Sequence, residues 1–157
     1  MISNQIFVHQ HIEFENALSY ITRVDAAKLP ALLEYIIHNI DALGLEITSN
    51  IVFTISEIHE FANRCIFDVE VLVPVNKAFP SSERYIYKPR FRLVNAISFR
   101  IGSSTRDIVD ARRKLMEYIS EGHLQGISDV YYIASYHKQG ADIESYDAII
   151  SISDNIL

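Results

Sequence analysis

A recurrence within the chain constrains its fold more than any other feature of the sequence. Three short segments of the first half return in the second half, in the same order and at a nearly constant spacing of about 79 residues. The segment pairs are 16–20 with 95–99 (Asn-Ala-Leu-Ser-Tyr with Asn-Ala-Ile-Ser-Phe), 32–36 with 115–119 (Leu-Leu-Glu-Tyr-Ile with Leu-Met-Glu-Tyr-Ile), and 67–69 with 146–148 (Phe-Asp-Val with Tyr-Asp-Ala). This pattern predicts an internal duplication.

Hydrophobic periodicity gives both halves the same order of elements. Alternation over residues 12–23 predicts a strand, and a stripe from Leu29 to Leu43 at i, i+3, i+4 and i+7 predicts an amphipathic helix. Two further strands, rich in β-branched residues, are predicted at 51–55 and 65–73. The second half repeats the order with a strand at 91–101, a helix at 105–119, and strands at 130–136 and 146–152.

The predicted fold class is α+β, with tandem duplicated β-α-β-β repeats in a pseudo-twofold arrangement. The repeats are expected to join edge to edge, with both helices on one side of an antiparallel sheet. We expect a single domain over 1–157, with repeat one at about 11–75, a linker at 76–89 and repeat two at about 90–154. The sheet face opposite the helices is where we expect function.

Composition disfavours several classes of function. The net charge of −6 argues against nucleic acid and acidic membranes, because phosphate binding needs a basic face. No apolar run reaches the ~18 residues of a membrane span, and the first residues lack the features of a signal peptide. Cys65 is the only cysteine and cannot form an internal disulfide. We therefore expect a cytoplasmic protein without membrane insertion.

The sequence contains no motif of catalysis. It has no glycine-rich phosphate loop, no nucleophile with a base and no ligand set with metal spacing. Asp68 and Glu70 share a strand face, but a solvated face or a protected edge explains them better than an acid-base pair. His9 and His11 supply two ligands, and a metal site needs more. We predict no enzymatic activity, no cofactor and no metal.

Residues 67–75, Phe-Asp-Val-Glu-Val-Leu-Val-Pro-Val, close the first β-α-β-β unit with an acidic-Val-x-x-Pro-Val ending. In this respect the chain resembles the GyrI-like effector-binding module, across residues 12–153. The resemblance implies binding of small, often cationic or aromatic, molecules in the cleft between the halves. That superfamily usually carries a buried glutamate on the last strand of the second half. Here the position that matches Glu70 is Ile149, and the nearest acid is Asp147.

A closer resemblance rests on residues 90–99, Arg-Phe-Arg-Leu-Val-Asn-Ala-Ile-Ser-Phe, on the following helix, which ends at 115–119, and on Val73-Pro74-Val75. These features are similar to a small family encoded beside type VII secretion toxins in Gram-positive bacteria, which includes the EsaE-type chaperones. The similarity implies a chaperone or adaptor that binds a secreted toxin and targets it for export, with the secretion ATPase as a further partner. A stand-alone small-molecule-binding protein of the GyrI-like type is the alternative. A homo-oligomer is a third option, because exposed sheet edges also pair with themselves.

The candidate binding residues differ between these hypotheses. Arginine and tyrosine are enriched at interfaces, so they are expected to contact a protein partner. The partner-binding candidates are Arg90, Arg92, Arg100, Tyr131, Tyr132 and Tyr136. The candidates for a small-molecule ligand are Asn16, Asn95, Tyr131 and Asp147. Because an unpaired buried amide costs about 1–3 kcal/mol, the two asparagines either bond to each other, support a bulge, or line the cleft.

Overall fold

A computed structural model describes residues 5–136 and 143–153, without the side chains of Tyr136 and Glu144. Within these ranges the elements are β1 (Phe7–Asp25), a 3₁₀ turn (Ala26–Lys28), α1 (Leu29–Ala42), β2 (Val52–Phe61), β3 (Arg64–Pro74), β4 (Ile86–Ile101), α2 (Thr105–Glu121), β5 (Gln125–Gly126), β6 (Tyr131–Tyr136) and β7 (Ile143–Ser153). The strands β1 and β4 both begin earlier than the periodicity predicted, so both are long.

Local sequence signals set the ends of the two helices. Pro30 occupies the first turn of α1, and Gly44 follows that helix with a φ of +78°, which glycine adopts at little cost. Ser104 caps α2 by accepting a hydrogen bond from the backbone amide of Asp107 at 3.1 Å. The helix ends at Glu121, before Gly122, which is one of the two glycines able to end it. In the described part of the chain, neither helix is long and apolar enough to cross a membrane.

The strands form one antiparallel sheet whose order closes on itself. Hydrogen-bonded neighbours run β4-β1-β3-β2-β6-β7, and β7 pairs with β4 as well. The contact between β2 and β6 is short and includes Val52 opposite Ile133 and Phe53 opposite Tyr132. The two-residue strand β5 pairs with the end of β7, at Ile152 and Ser153. The three strands of each half are therefore neighbours, and the two halves meet where β1 pairs with β4 and where β2 pairs with β6.

Closure depends on β1 and β4, each of which changes its partner along its length. Strand β1 pairs with β4 as far as Ser19 and with β3 from Ala17 onward, and β4 pairs with β7 from Ala96 onward. Asn16 and Asn95 immediately precede these changes, with φ values of +61° and +47°. Asparagine enters this left-handed region more readily than most residues. The recurring Asn-Ala segments therefore place a kink where each strand changes partner.

The predicted fold class is wrong. Strands make up 53% of the structure and helices 24%, and the arrangement is not clearly one of tandem β-α-β-β repeats in pseudo-twofold arrangement. The two halves join along both of their edges, β1 with β4 and β2 with β6, so the sheet closes, whereas the prediction joined two units along one edge into a longer open sheet. The physical reason is that a strand edge leaves backbone donors and acceptors without partners. Pairing β2 with β6 satisfies part of both edges.

Two clusters of apolar side chains form the interior. The larger one contains the buried faces of both helices, and Phe53 stacks on Tyr132 within it at a ring distance of 5.0 Å. The smaller one contains strand residues alone, including Tyr131. Because neighbouring strand residues point to opposite faces, Tyr131 lies on the face away from the helix-side core that holds Tyr132. The smaller cluster is thus a feature of the sheet's other face.

Candidate ligand-binding cleft

The smaller cluster brings together aromatic rings from three strands. We call it the cleft cluster, and its members are Ile12, Phe14, Phe91, Leu93, Ala96, Tyr131, Ile133 and Ile149. Phe91 of β4 stacks on Phe14 of β1 at 5.1 Å and meets Tyr131 of β6 nearly edge-on at 5.0 Å. Aromatic pairs in such geometries contribute about 0.5–1.5 kcal/mol beyond the area that they bury. Closure of the sheet is what places the three rings in contact.

A cavity of about 220 Å³ opens beside the cleft cluster. Its lining residues are His11, Ile12, Glu13, Phe14, Ser49, Asn50, Val52 and Ile133. Glu13 is engaged by His11 at 3.2 Å and by Arg90 at 3.3 Å, so the charged part of the lining is already paired. Ligand pockets commonly have volumes of about 300–1,000 Å³. The cavity therefore suits a compact molecule that contacts the ring of Phe14, on which Phe91 stacks.

One charged pair and one hydroxyl group border the cleft cluster. Glu70 accepts hydrogen bonds from Ser19 and, at 2.7 Å, from Lys88. Burial opposes ionisation of Glu70, but the hydrogen bonds from Lys88 and Ser19 outweigh it, so the pKa of this carboxyl group is lowered. Burial, followed by the charges of Asp129 and Glu70, raises the pKa of Tyr131. The tyrosine hydroxyl is therefore protonated and able to donate.

Ile149 fills the position where the GyrI-like resemblance implies a glutamate. It is 1% exposed and lies opposite Tyr131 in the pairing of β6 with β7. The nearby acid, Asp147, pairs with Arg100 at 3.2 Å beside a different cavity of about 420 Å³. The second half thus contributes an apolar wall to the cleft cluster, which cannot compensate the desolvation of a bound cation.

The three arginines predicted to contact a partner are exposed, and two of them have intramolecular carboxylate partners. Arg90 pairs with Glu13, and Arg100 pairs with Asp147. Arg92 lies directly opposite Glu13 in the pairing of β1 with β4. These positions place the arginines along one strand, beside acids of neighbouring strands.

The three tyrosines of the same set are separated by the fold. Tyr131 belongs to the cleft cluster. Tyr132 is 3% exposed, and its hydroxyl donates to the backbone carbonyl of Ile108 at 3.0 Å. Burial raises its pKa to about 12. The structure therefore places Tyr132 in the core, away from any surface that a partner could contact. The side chain of Tyr136 lies outside the described residues.

Asn16 and Asn95, the predicted ligand contacts, hold the kinks of the two long strands. The hydroxyl of Tyr87 donates to the side-chain oxygen of Asn16, and the amide of Asn95 donates to the backbone carbonyl of Ile152 at 3.2 Å. The two side chains therefore bond to different groups and not to each other. Of the alternatives left open by the sequence, the geometry agrees with support of an irregular strand.

A polar cluster on the first-half strands escaped the sequence analysis. The imidazole of His59 lies 2.9 Å from Asp68 and 4.0 Å from Glu57, in the arrangement of three metal ligands. However, Arg23 donates to Asp68 at 2.7 Å, and its hydrogen bond, with that of His59, lowers the pKa of Asp68 to about 2. A guanidinium thus already supplies the positive charge. The strand register depends on a bulge after Ile55, so no sequence signal could have revealed this cluster.

Comparison with known proteins gives matches at the level of structure only. No protein-family model matches the sequence, and a search of curated proteins gives no significant match. The EcmrR chain in an EcmrR–DNA complex matches with a TM-score of 0.72 and 16% identity, over 94% of this chain and 57% of that chain. A crystal structure of the EcmrR C-terminal domain matches with a TM-score of 0.63 and 15% identity, over 95% and 97%. An uncharacterised conserved protein from Listeria innocua matches with a TM-score of 0.54 and 10% identity, over 95% and 91%.

These matches show a GyrI-like fold, which this chain shares with the EcmrR C-terminal domain. The chain spans little more than half of the EcmrR chain in the DNA complex and nearly all of the separate C-terminal domain. At such low identities the likeness concerns the fold alone. None of the matches supports membership of the type VII toxin chaperone family.

Proposed function

We propose that this chain is a non-enzymatic protein that binds a compact, neutral aromatic molecule at the cleft cluster. The observation that carries the proposal is the contact of Phe14, Phe91 and Tyr131 beside a cavity, on the sheet face that no helix covers. The GyrI-like fold adds support, because the family resemblance implies small-molecule binding between the halves. Half of the residues that line the cavity are polar, and small-molecule sites combine apolar walls with polar groups that fix the orientation of the ligand.

The charges around the cleft cluster favour a neutral ligand over a cation. Glu70 is already matched by Lys88 at 2.7 Å, and Ile149 offers no charge from the other side. Tyr131 contributes a protonated hydroxyl that can donate to one acceptor atom of a ligand. A flat molecule with one ring nitrogen or carbonyl oxygen would therefore satisfy both the rings and the hydroxyl.

The state of the carboxylates supports binding over catalysis. Asp68 and Glu70 share a strand face, yet each is ion-paired, with Arg23 and Lys88 respectively. Both carboxyl groups have a lowered pKa. A general acid at neutral pH needs a pKa that is raised toward 7, so neither group suits that role.

The test uses two molecules of nearly equal size and shape, quinoline and the permanently charged N-methylquinolinium. Quinoline should raise the melting temperature of the protein. At a hundred times its Kd, the ligand should add about 2.7 kcal/mol to the free energy of unfolding. N-methylquinolinium should bind at least tenfold more weakly, because the charge is desolvated without a carboxylate partner. Amide NMR should place the quinoline-induced shifts on β1, β4 and β6.

A pair of variants separates the cleft from the rest of the surface. Phe91→Leu keeps apolar volume and removes the ring, so it should weaken quinoline binding at least tenfold. Phe61→Leu is the matched control, since Phe61 is 63% exposed at the end of β2. Unchanged binding by Phe91→Leu, or the absence of binding by both compounds, would contradict the proposal. Tighter binding of N-methylquinolinium would refute the neutral-ligand argument.

The toxin-chaperone hypothesis receives no support from the comparisons and stays a prediction from the sequence. Its central residues, Arg90 and Arg92, lie beside Glu13 of the same chain. A partner would therefore have to replace an internal ion pair before it could use both arginines. Co-purification of a secreted toxin in stoichiometric amount, lost on Arg90→Glu with Arg92→Glu, would be the result in its favour.

A further inference from the structure

A separate cavity of about 430 Å³ lies between the end of α1 and the segment that connects β3 to β4. Its lining residues are Asn39, Ala42, Leu43, Phe79, Ser82, Arg84 and Tyr85. None of them belongs to the cleft cluster. The cavity therefore stands apart from the cleft cluster, and ligand binding at one site does not depend on ligand binding at the other.

One side of this cavity is apolar and accessible. Leu43, the residue after α1, is 42% exposed and lines the cavity. Phe79 is partly buried and packs against the main core, and Ala42 adds a further apolar surface. Concave apolar surface of this kind favours the hydrocarbon part of a ligand.

The other side carries a cation without a carboxylate partner. Among the described residues no ion pair includes Arg84, and its guanidinium donates to the hydroxyl of Tyr35 at 3.3 Å. Ser82 orders the backbone here, because its hydroxyl oxygen accepts from the amides of Arg84 and Tyr85 at 3.3 and 3.1 Å. A planar guanidinium on an ordered turn can bind a carboxylate through two parallel hydrogen bonds.

Two buried polar atoms of the lining residues make no hydrogen bond of good geometry, although the Asn39 side chain lies near the hydroxyls of both Tyr85 and Tyr35. They are the side-chain nitrogen of Asn39 and the hydroxyl oxygen of Tyr85, and Tyr85 is only 4% exposed. Native proteins rarely leave such groups unsatisfied, so each unsatisfied group requires an explanation. Both atoms can donate, and both belong to residues that line the same cavity as Arg84.

We infer that this cavity is a second ligand site, which binds a small apolar carboxylate. The carboxylate of the ligand pairs with Arg84 and accepts hydrogen bonds from Asn39 and Tyr85. Its hydrocarbon part packs on Leu43 and Phe79. A neutral ligand would leave the guanidinium unmatched, and a cationic ligand would be repelled by it.

The probe is 4-phenylbutyrate, with 4-phenylbutanol as its uncharged counterpart. Titration of the full chain, followed by amide NMR, should shift the signals of Leu43, Ser82 and Arg84 and leave those of the cleft cluster unchanged. The alcohol should bind at least tenfold more weakly, because it lacks the charge that pairs with Arg84. Absence of 4-phenylbutyrate binding at millimolar concentration would overturn the inference.

Four variants locate the interaction. Arg84→Gln should weaken the binding of 4-phenylbutyrate at least tenfold. Arg112 is an exposed arginine of α2, and Arg112→Gln should leave this binding unchanged. Tyr85→Phe should weaken the binding of 4-phenylbutyrate several-fold, because it removes one of the donors to the carboxylate. Phe91→Leu should leave the binding of 4-phenylbutyrate unchanged. The two proposed sites can therefore be confirmed or refuted separately. Equal affinities for Arg84→Gln and Arg112→Gln would refute the site.

Discussion

Phe53 lies where strands from the two halves of the chain meet, so its truncation tests the closed sheet directly. The ring is fully buried, stacks on Tyr132 at 5.0 Å and meets Tyr146 edge-on at 5.3 Å. Phe53→Ala removes both ring contacts and leaves a cavity in the core. Truncations of this kind cost about 3–5 kcal/mol, and each aromatic contact contributes about 0.5–1.5 kcal/mol beyond its buried area.

The free energy of unfolding can be measured by urea denaturation, followed by circular dichroism. For a chain of this size each kcal/mol lowers the melting temperature by about 2–4 °C, so Phe53→Ala should lower it by roughly 6–20 °C. Phe61→Ala is the matched control, with the same residue type on the same strand but 63% exposed. That variant should change stability by no more than about 0.5 kcal/mol.

The two variants together test whether Phe53 is enclosed by the core and Phe61 is not. A cost for Phe53→Ala below about 1.5 kcal/mol would mean that the ring is not enclosed as the structure has it. Equal costs for Phe53→Ala and Phe61→Ala would likewise refute the burial difference between the two ends of β2. If the free energy of unfolding falls with urea concentration at a similar slope in both variants, the substitutions have changed stability and not the compactness of the unfolded state.

Two further predictions concern the backbone and pH. Gly44→Ala should cost about 1–2 kcal/mol in urea denaturation, although a Cβ there meets no atom within 4 Å, because the φ of +78° is strained for alanine. No loss of stability would contradict the left-handed conformation. The pKa of Asp68 is about 2, against 3.8 for an unperturbed aspartate, so the folded state binds its proton less tightly than the unfolded state. The stabilisation is therefore present above about pH 4 and lost as pH falls toward 2, and the melting temperature of Asp68→Asn should fall less steeply over this window. If the melting temperatures of the wild-type protein and of Asp68→Asn fell equally steeply with pH, the result would count against the ion pair with Arg23.

Features that depend on neighbouring residues could be predicted from the sequence. Both ends of α1 and the start of α2 follow from Pro30, Gly44 and Ser104, because capping and turn chemistry act within a few residues. Alternation along the strands predicted which residues of β3 face the helix-side core, since that pattern is also local. The apolar replacement at Ile149 was visible as well, because it needs only the spacing to Glu70.

Features that depend on pairing between distant strands came from the tertiary structure alone. Closure of the sheet brings Phe14, Phe91 and Tyr131 together, and these three residues lie on three strands that are far apart in sequence. Nothing local sets which strand edges meet, because any edge offers the same backbone donors and acceptors. The recurring Asn-Ala segments therefore predicted matching elements, but only the folded chain shows that they are kinks at which long strands change partner and the ring closes.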